Sequence, residues 1–206
     1  MEIKVRTEYH QEPLYSEAMV PDDIMLEILE EVQEIEKKQD EEINYSHLLA
    51  SSIQKTLKIK KSHNSIHNFA SKVANHHMSK VNGYDCDSFE WNKEGEIWMN
   101  LQGKYDFIPA HTHPSDISFV IWIKIPYIME NELSYSNVSK SIDPHNGHLT
   151  FSFTSIYGSI IEKKIITDKK YEGRMVVFDS RLTHQVYPFF TSDQYRISIA
   201  GNLYKI

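Results

Sequence analysis

Phe107-Ile108-Pro109-Ala110-His111-Thr112-His113-Pro114-Ser115-Asp116-Ile117-Ser118-Phe119-Val120-Ile121-Trp122-Ile123-Lys124-Ile125 decides how this 206-residue chain is read. Two alternating apolar runs flank a proline turn. Successive side chains of a strand point to opposite faces, so residues two apart share one. The second run therefore sets Ile117, Phe119, Ile121, Ile123 and Ile125 on a core face and Ser118, Val120, Trp122 and Lys124 on the other. A tryptophan and a lysine on that other face suit a ligand-lined interior or an exposed sheet surface equally. In the first run the same parity aims His111 and His113 at one point, while Thr112 faces away. Pro114 cannot donate a ladder hydrogen bond and Pro-Ser-Asp is turn chemistry, so the pair falls at a strand end, where an open coordination position is easily kept.

Two imidazoles need a third ligand from elsewhere. His184, within Phe178-Asp179-Ser180-Arg181-Leu182-Thr183-His184-Gln185-Val186-Tyr187-Pro188, again stands near the end of an apolar run and is the candidate. An H-x-H pair alone is weak in a chain with 11 histidines, because two hydrogen-bonded strand histidines give the same pattern. Arg196 changes the argument. In Gln194-Tyr195-Arg196-Ile197-Ser198-Ile199-Ala200-Gly201-Asn202, Arg196 and Ser198 share the face opposite Ile197 and Ile199, which points a guanidinium and a hydroxyl into the interior. A fixed buried cation needs a carboxylate. Its partner is either a protein side chain or a dicarboxylate co-substrate that chelates the metal with its other end.

Outward from these motifs, period-2 alternation runs through the chain after the turn signal Asn82-Gly83. Strands are expected over Glu96–Leu101, Phe107–His113, Ile117–Ile125, His148–Phe153, Ile160–Ile166, Arg174–Phe178, Thr183–Tyr187 and Tyr195–Leu203. Short strands with polar turns between them indicate a β-sandwich or barrel. Before Asn82 the period is helical. Pro21, with Asp22 and Asp23 beside it, opens a helix carrying Met25, Ile28, Leu29, Val32 and Ile35 on one stripe. Its outer face, with Glu27, Glu30, Glu31, Glu34, Glu36, Lys37 and Lys38, is expected to be solvated. A second helix follows Ser65 as N-cap, with Ile66, Phe69, Val73 and His77 aligned; His76 and His77, adjacent on it, are packing or surface residues rather than ligands. Ile3-Lys4-Val5-Arg6 is an edge-strand candidate, and His47–Leu57 a candidate short helix followed by the solvated basic run Lys58–Lys61. The expected organisation is one domain over 1–206, with a helical N-terminal part, 1–82, packed on one sheet of a β core, 83–206.

Composition excludes several classes. The 40% hydrophobic and 25% charged residues are ordinary for a globular protein, and a net charge of -7 supplies no basic stripe for nucleic acid. The single cysteine, Cys86, rules out an internal disulfide and a cysteine zinc finger, in keeping with a reducing cytoplasm. Neither a signal peptide nor an apolar run long enough to span a bilayer is visible, so cytoplasmic localisation is expected. Asn137-Val138-Ser139 matches a glycosylation pattern that is incidental in that compartment.

Trp98-Met99-Asn100, Phe107 to Pro114, Ser118 to Pro126, His184 to Pro188 and Arg196-Ile197-Ser198 together resemble the Fe(II)- and 2-oxoglutarate-dependent oxygenases of the double-stranded β-helix, or jelly-roll, fold. Among these the chain looks most like the oxygenases common in bacteriophages. The resemblance covers roughly residues 91 to 204, with a looser likeness in the N-terminal helices. It implies a mainly β jelly roll with helices on one sheet, Fe(II) on His111, His113 and His184, and 2-oxoglutarate held by Arg196 with Ser198 and Asn100. The activity implied is a dioxygenase that hydroxylates a C–H bond of a protein side chain such as proline, or of a small metabolite, releasing succinate and carbon dioxide. Its partners would be 2-oxoglutarate, dioxygen and that substrate; a homodimer is compatible with it. A cupin-like three-histidine metalloenzyme without 2-oxoglutarate and a non-catalytic viral jelly roll are the alternatives. One departure stands out: most of the superfamily has H-x-D where this chain has His111-Thr112-His113. A carboxylate lowers the charge at iron, whereas three neutral imidazoles leave its double charge for a dianionic 2-oxoglutarate to neutralise. Asp116 is the rival ligand. It lies on the opposite parity beyond a proline, so parity favours His113 and makes Asp116 a hydrogen-bond acceptor for the turn or for a histidine.

Overall fold

A computed structural model describes residues 3–10, 12–37, 53, 55–82, 89–93, 95–135 and 140–206. Among them the chain forms β1 (Val5–His10), β2 (Glu12–Met19), α1 (Asp22–Lys37), β3 (Lys55–Lys58), α2 (His63–Asn82), β4 (Ile97–Gln102), β5 (Ile108–His111), β6 (Ile117–Lys124), α3 (Met129–Ser134), β7 (Leu149–Thr154), β8 (Ile160–Ile165), β9 (Arg174–Asp179), β10 (Thr183–Val186) and β11 (Arg196–Leu203). The expected strands all appear, as β4 to β11. They fold into two antiparallel sheets, a larger one in the order β1-β2-β9-β6-β11-β4-β3 and a smaller one in the order β5-β10-β7-β8. Face to face, these are the two halves of a jelly roll.

Alternation in β6 sorts its residues as the pattern demands. Ile117, Phe119, Ile121 and Ile123 enter a core shared with Ile28, Val32 and Ile35 of α1 and with Ile66, Phe69 and Val73 of α2, so the helices cover the outer face of the larger sheet. Ser118, Val120 and Trp122 line a cavity between the sheets, which makes that second face an interior. A second apolar cluster, with Tyr15, Trp122, Phe151, Phe178 and Phe189, joins the two sheets there.

The N-terminal part differs from expectation. It carries both helices and, from Val5, the expected edge strand, β1, but β1 runs on to His10 and two further strands join the larger sheet: β2 links β1 to β9, and β3 closes the other edge beside β4. The mixed composition of Glu12–Met19 hides β2, since Tyr15, Ser16, Glu17 and Ala18 are all buried and no polar alternation survives. Most of the expected His47–Leu57 helix lies outside the described residues, and its end, Lys55–Leu57, is strand. Cys86 and Asn137-Val138-Ser139 also lie outside them.

Two positions of α1 break its stripe. Leu29 is 37% exposed, while Glu31, assigned to the solvated face, is buried. Its carboxylate accepts the backbone N–H groups of Lys60 (2.7 Å), Lys61 (2.9 Å) and Ser62 (2.8 Å) and the Ser62 hydroxyl (2.7 Å), fixing the entry to α2. That helix begins at His63, two residues before the expected cap; Ser65 instead donates to Glu27 at 2.6 Å. His77 is buried and bonded through Nδ1 to the Ser16 hydroxyl at 3.0 Å, the packing role expected of it.

Candidate functional site

His111 is the last residue of β5 and pairs directly with His184 on β10, so strand register alone places two imidazoles side by side. His113 lies beyond the strand, and parity does not carry it. The turn does: His113 N donates to Ser180 O at 2.9 Å and Ser180 N to Asp116 O at 3.1 Å, clasping the β5–β6 turn to the β9–β10 turn. Beneath, hydroxyls of Ser115, Ser180 and Ser118 are linked at 2.6 and 2.8 Å, and Ser118 donates to Asn202 Oδ1 at 2.9 Å. The three imidazole centroids stand 4.2 Å (His111 to His184), 4.9 Å (His111 to His113) and 5.1 Å (His113 to His184) apart, and one ring nitrogen from each lies within 4.8 Å of the others.

Their hydrogen bonds prepare them as ligands. His111 Nδ1 donates to Pro109 O at 2.8 Å and His184 Nδ1 to Leu182 O at 2.9 Å. A carbonyl only accepts, so Nδ1 carries the proton in both rings and Nε2 is the nitrogen left with a lone pair. Burial holds all three histidines in the neutral form: it lowers His111, takes His113 to about 4 and, with His111 beside it, takes His184 to about 3. Three neutral, oriented nitrogen donors beside a cavity suit a divalent first-row metal such as Fe(II). Asp116 is turned elsewhere: exposed, it accepts Lys205 N at 2.8 Å and is not among the clustered groups.

The wall below is built rung by rung from β-register. Across β4 and β11, Trp98 faces Ala200, Asn100 faces Ser198 and Gln102 faces Arg196; across β11 and β6, Asn202 faces Ser118, Ala200 faces Val120 and Ser198 faces Trp122. All of them line the cavity of about 310 Å³ whose other end holds the three histidines. Arg196, Ser198 and Asn100 therefore share one chamber with His111, His113 and His184. Arg196 is 2% exposed and forms no ion pair among the described residues. Its N–H groups go instead to neutral acceptors: Gln102 Oε1 (3.1 Å from Nε), the Tyr127 hydroxyl (2.8 Å), Gly147 O and, at longer range, Thr167 Oγ1 (3.4 Å) and Tyr187 O (3.5 Å). Gly147 is needed there, because its φ is +74° and a Cβ would lie 2.8 Å from the Tyr127 hydroxyl oxygen. Gln102, Tyr127, Gly147 and Thr167 escaped the sequence argument. Only Gln102 carried a signal, as the cross-strand neighbour of Arg196; the others sit in loops or beside them, where no period assigns a face.

A family model described as 2OG-Fe(II) oxygenase matches residues 96–202. The chain thus belongs to the 2OG-Fe(II) oxygenases, whose cofactors are Fe(II) and 2-oxoglutarate, and the donor set of the cavity fits both. Among solved structures the fold is similar to a prolyl-4-hydroxylase of Pseudomonas putida, at 15% identity over 93% of this chain and 92% of that one, with a TM-score of 0.58. It is similar also to a prolyl hydroxylase of Trichoplax adhaerens in complex with a hypoxia inducible factor oxygen degradation domain peptide fragment (11%, 98% and 83%, TM-score 0.55). A 2OG-Fe(II) oxygenase family oxidoreductase of Burkholderia pseudomallei matches at 12%, over 91% and 84%, with a TM-score of 0.52. No curated protein sequence matches the chain significantly. Family membership sets aside the cupin-like alternative.

Proposed function

We propose that the protein is a 2-oxoglutarate-dependent dioxygenase that hydroxylates a protein side chain such as proline, with release of succinate and carbon dioxide. The observation that carries this is one cavity with three neutral histidines at one end and, at the other, a buried arginine with no ion pair among the described residues. His111, His113 and His184 would hold the iron through ring nitrogens. Arg196 would take the distal carboxylate of 2-oxoglutarate, the counter-charge its surroundings lack, with Ser198 and Asn100 beside the chain of the molecule. Bound together, metal and co-substrate supply the oxidising chemistry that attacks an unactivated C–H bond. The protein's own part is to fix the two ends of the co-substrate and to keep the site dry with Trp122, Phe178 and Leu149. A cavity at the small end of the ligand-site range accepts one side chain beside the co-substrate, and the peptide-bound Trichoplax relative favours a peptide as its source.

Anaerobic titration of 2-oxoglutarate into the Mn(II)-loaded protein tests the assignment. Wild type is expected to bind it, and Arg196→Ala to retain the metal while losing 2-oxoglutarate by about 2–4 kcal/mol. Equal affinities in the two proteins would refute the role of Arg196. Fe(II)-dependent formation of succinate, stimulated by proline-containing peptides, tests the reaction and the substrate class.

A further inference from the structure

We propose that Gln102 occupies the seat of the co-substrate's distal carboxylate and must vacate it for binding, so that this residue sets the affinity of the site for dicarboxylates. The proposal rests on the role of Arg196 given above and goes beyond it, to what holds that arginine before the co-substrate arrives.

Both Nε and Nη2 of Arg196 donate to the one oxygen Oε1 of Gln102. That edge of a guanidinium is where a carboxylate docks with two parallel hydrogen bonds. On the opposite side Nη1 is taken by the Tyr127 hydroxyl and Gly147 O, neither of them at the cavity wall, and only the Thr167 hydroxyl, 3.4 Å from Nη1, reaches the wall there, whereas Gln102 and Arg196 both line it. An anion entering the cavity therefore meets the edge that Gln102 covers. The arrangement is built by register, since Gln102 and Arg196 oppose each other across β4 and β11. It is also anchored, because Gln102 Nε2 donates to Asp106 O at 2.6 Å and Asp106 Oδ2 accepts Gly103 N at 2.9 Å, which shapes the turn after β4. A neutral amide offsets a buried positive charge only in part, and a carboxylate offsets it fully. Gln102 is thus a weak occupant that an anion displaces, and binding is an exchange.

Two substitutions pull affinity and unliganded stability in opposite directions. Gln102→Glu installs a permanent carboxylate against Arg196; the oxygen that replaces the NH2 group meets Asp106 O with no proton to donate, and the charged pair gained outweighs that lost bond and the repulsion of the neutral carbonyl. Gln102→Ala uncovers the edge. The measurements are calorimetric titration of 2-oxoglutarate and of succinate into each Mn(II)-loaded protein without oxygen, and thermal unfolding without either acid. Gln102→Glu should bind both acids at least about 100-fold more weakly than wild type yet unfold at a higher temperature. Gln102→Ala should bind them several-fold more tightly and unfold at a lower one. Weaker binding in Gln102→Ala would overturn the proposal, because Gln102 would then only position Arg196. A wild type that binds neither acid refutes the functional assignment instead, and the proposal is then decided by the unliganded arm, where Gln102→Glu with no gain in stability overturns it.

Discussion

His113 and Asp116 stand three residues apart on one turn, and their surroundings assign them different work. The carboxylate is exposed and tied to the backbone of Lys205, whereas the imidazole is neutral and faces His111 and His184. His113→Ala should therefore cost more than about 100-fold in metal affinity, as loss of a direct ligand, and Asp116→Ala should leave the metal bound at a stability cost of about 1 kcal/mol. His113→Asp should restore metal binding, since a carboxylate at that point completes the family's usual donor set and lowers the charge at the ion. Competition with a chromogenic chelator reads all three. Metal loss in Asp116→Ala with retention in His113→Ala would reverse the assignment. Strand parity points to the side chain that clusters with His111 and His184, but parity is not what brings it there, because β5 stops at His111 and a clasp between two turns delivers His113.

At the scale of elements, legibility followed burial pattern. The strands β4 to β11 were readable because each alternates or is bounded by turn residues, and Arg196 with Ser198 was readable because β11 has one apolar and one polar parity. β2 was not, since both its faces are buried, and Glu31 was not, since a carboxylate on a polar stripe gives no sign that three backbone N–H groups will come to it. Burial would raise that carboxyl, but the donors from Ser62, Lys60 and Lys61 outweigh it and hold it below the usual range. Glu31→Gln, which sets an NH2 group against some of those donors, should cost roughly 2 kcal/mol, read by urea unfolding; no loss would mean that the α1–α2 connection does not depend on it. His77 on α2 gives a pH effect of known sign. Burial, against a weaker opposing pull from Asp179, lowers it from 6.5 to about 4. The unfolded chain therefore binds the proton first, and the stability from neutral His77 is complete above pH 6.5 and lost as pH falls towards 4. The loss is on the order of 3 kcal/mol across that window. Buried His113, His148 and His184 act in the same direction, so His77→Asn should make stability less steep against pH between 6.5 and 4 without abolishing the slope, and an unchanged slope would show that His77 is not among the groups responsible.

Across the whole molecule the two parts of the chain share one core, and the three clustered histidines sit away from it. Ile117, Phe119, Ile121 and Ile123 of the β region pack on α1 and α2, and β2 bonds to β9, so neither part can separate without opening the larger sheet or baring its apolar face. The histidines instead lie on β5, on β10 and on the turn between β5 and β6, at the smaller sheet. If the chain folds as one unit, a ligand that binds only the folded state raises the entire transition by RT ln(1 + [L]/Kd), about 2.7 kcal/mol at a hundred times Kd. Far-ultraviolet dichroism, dominated by α1 and α2, and, in a Trp91→Phe background that removes the tryptophan on the helix side, fluorescence of Trp98 and Trp122 in the cavity wall report on opposite sides of the larger sheet. Added Mn(II) should move both signals together, with coincident midpoints before and after. His113→Ala should abolish the shift in both. Were only the fluorescence transition to move, the smaller sheet would be opening on its own, and the expectation of one cooperative domain would fall while the assignment of the ligands stood.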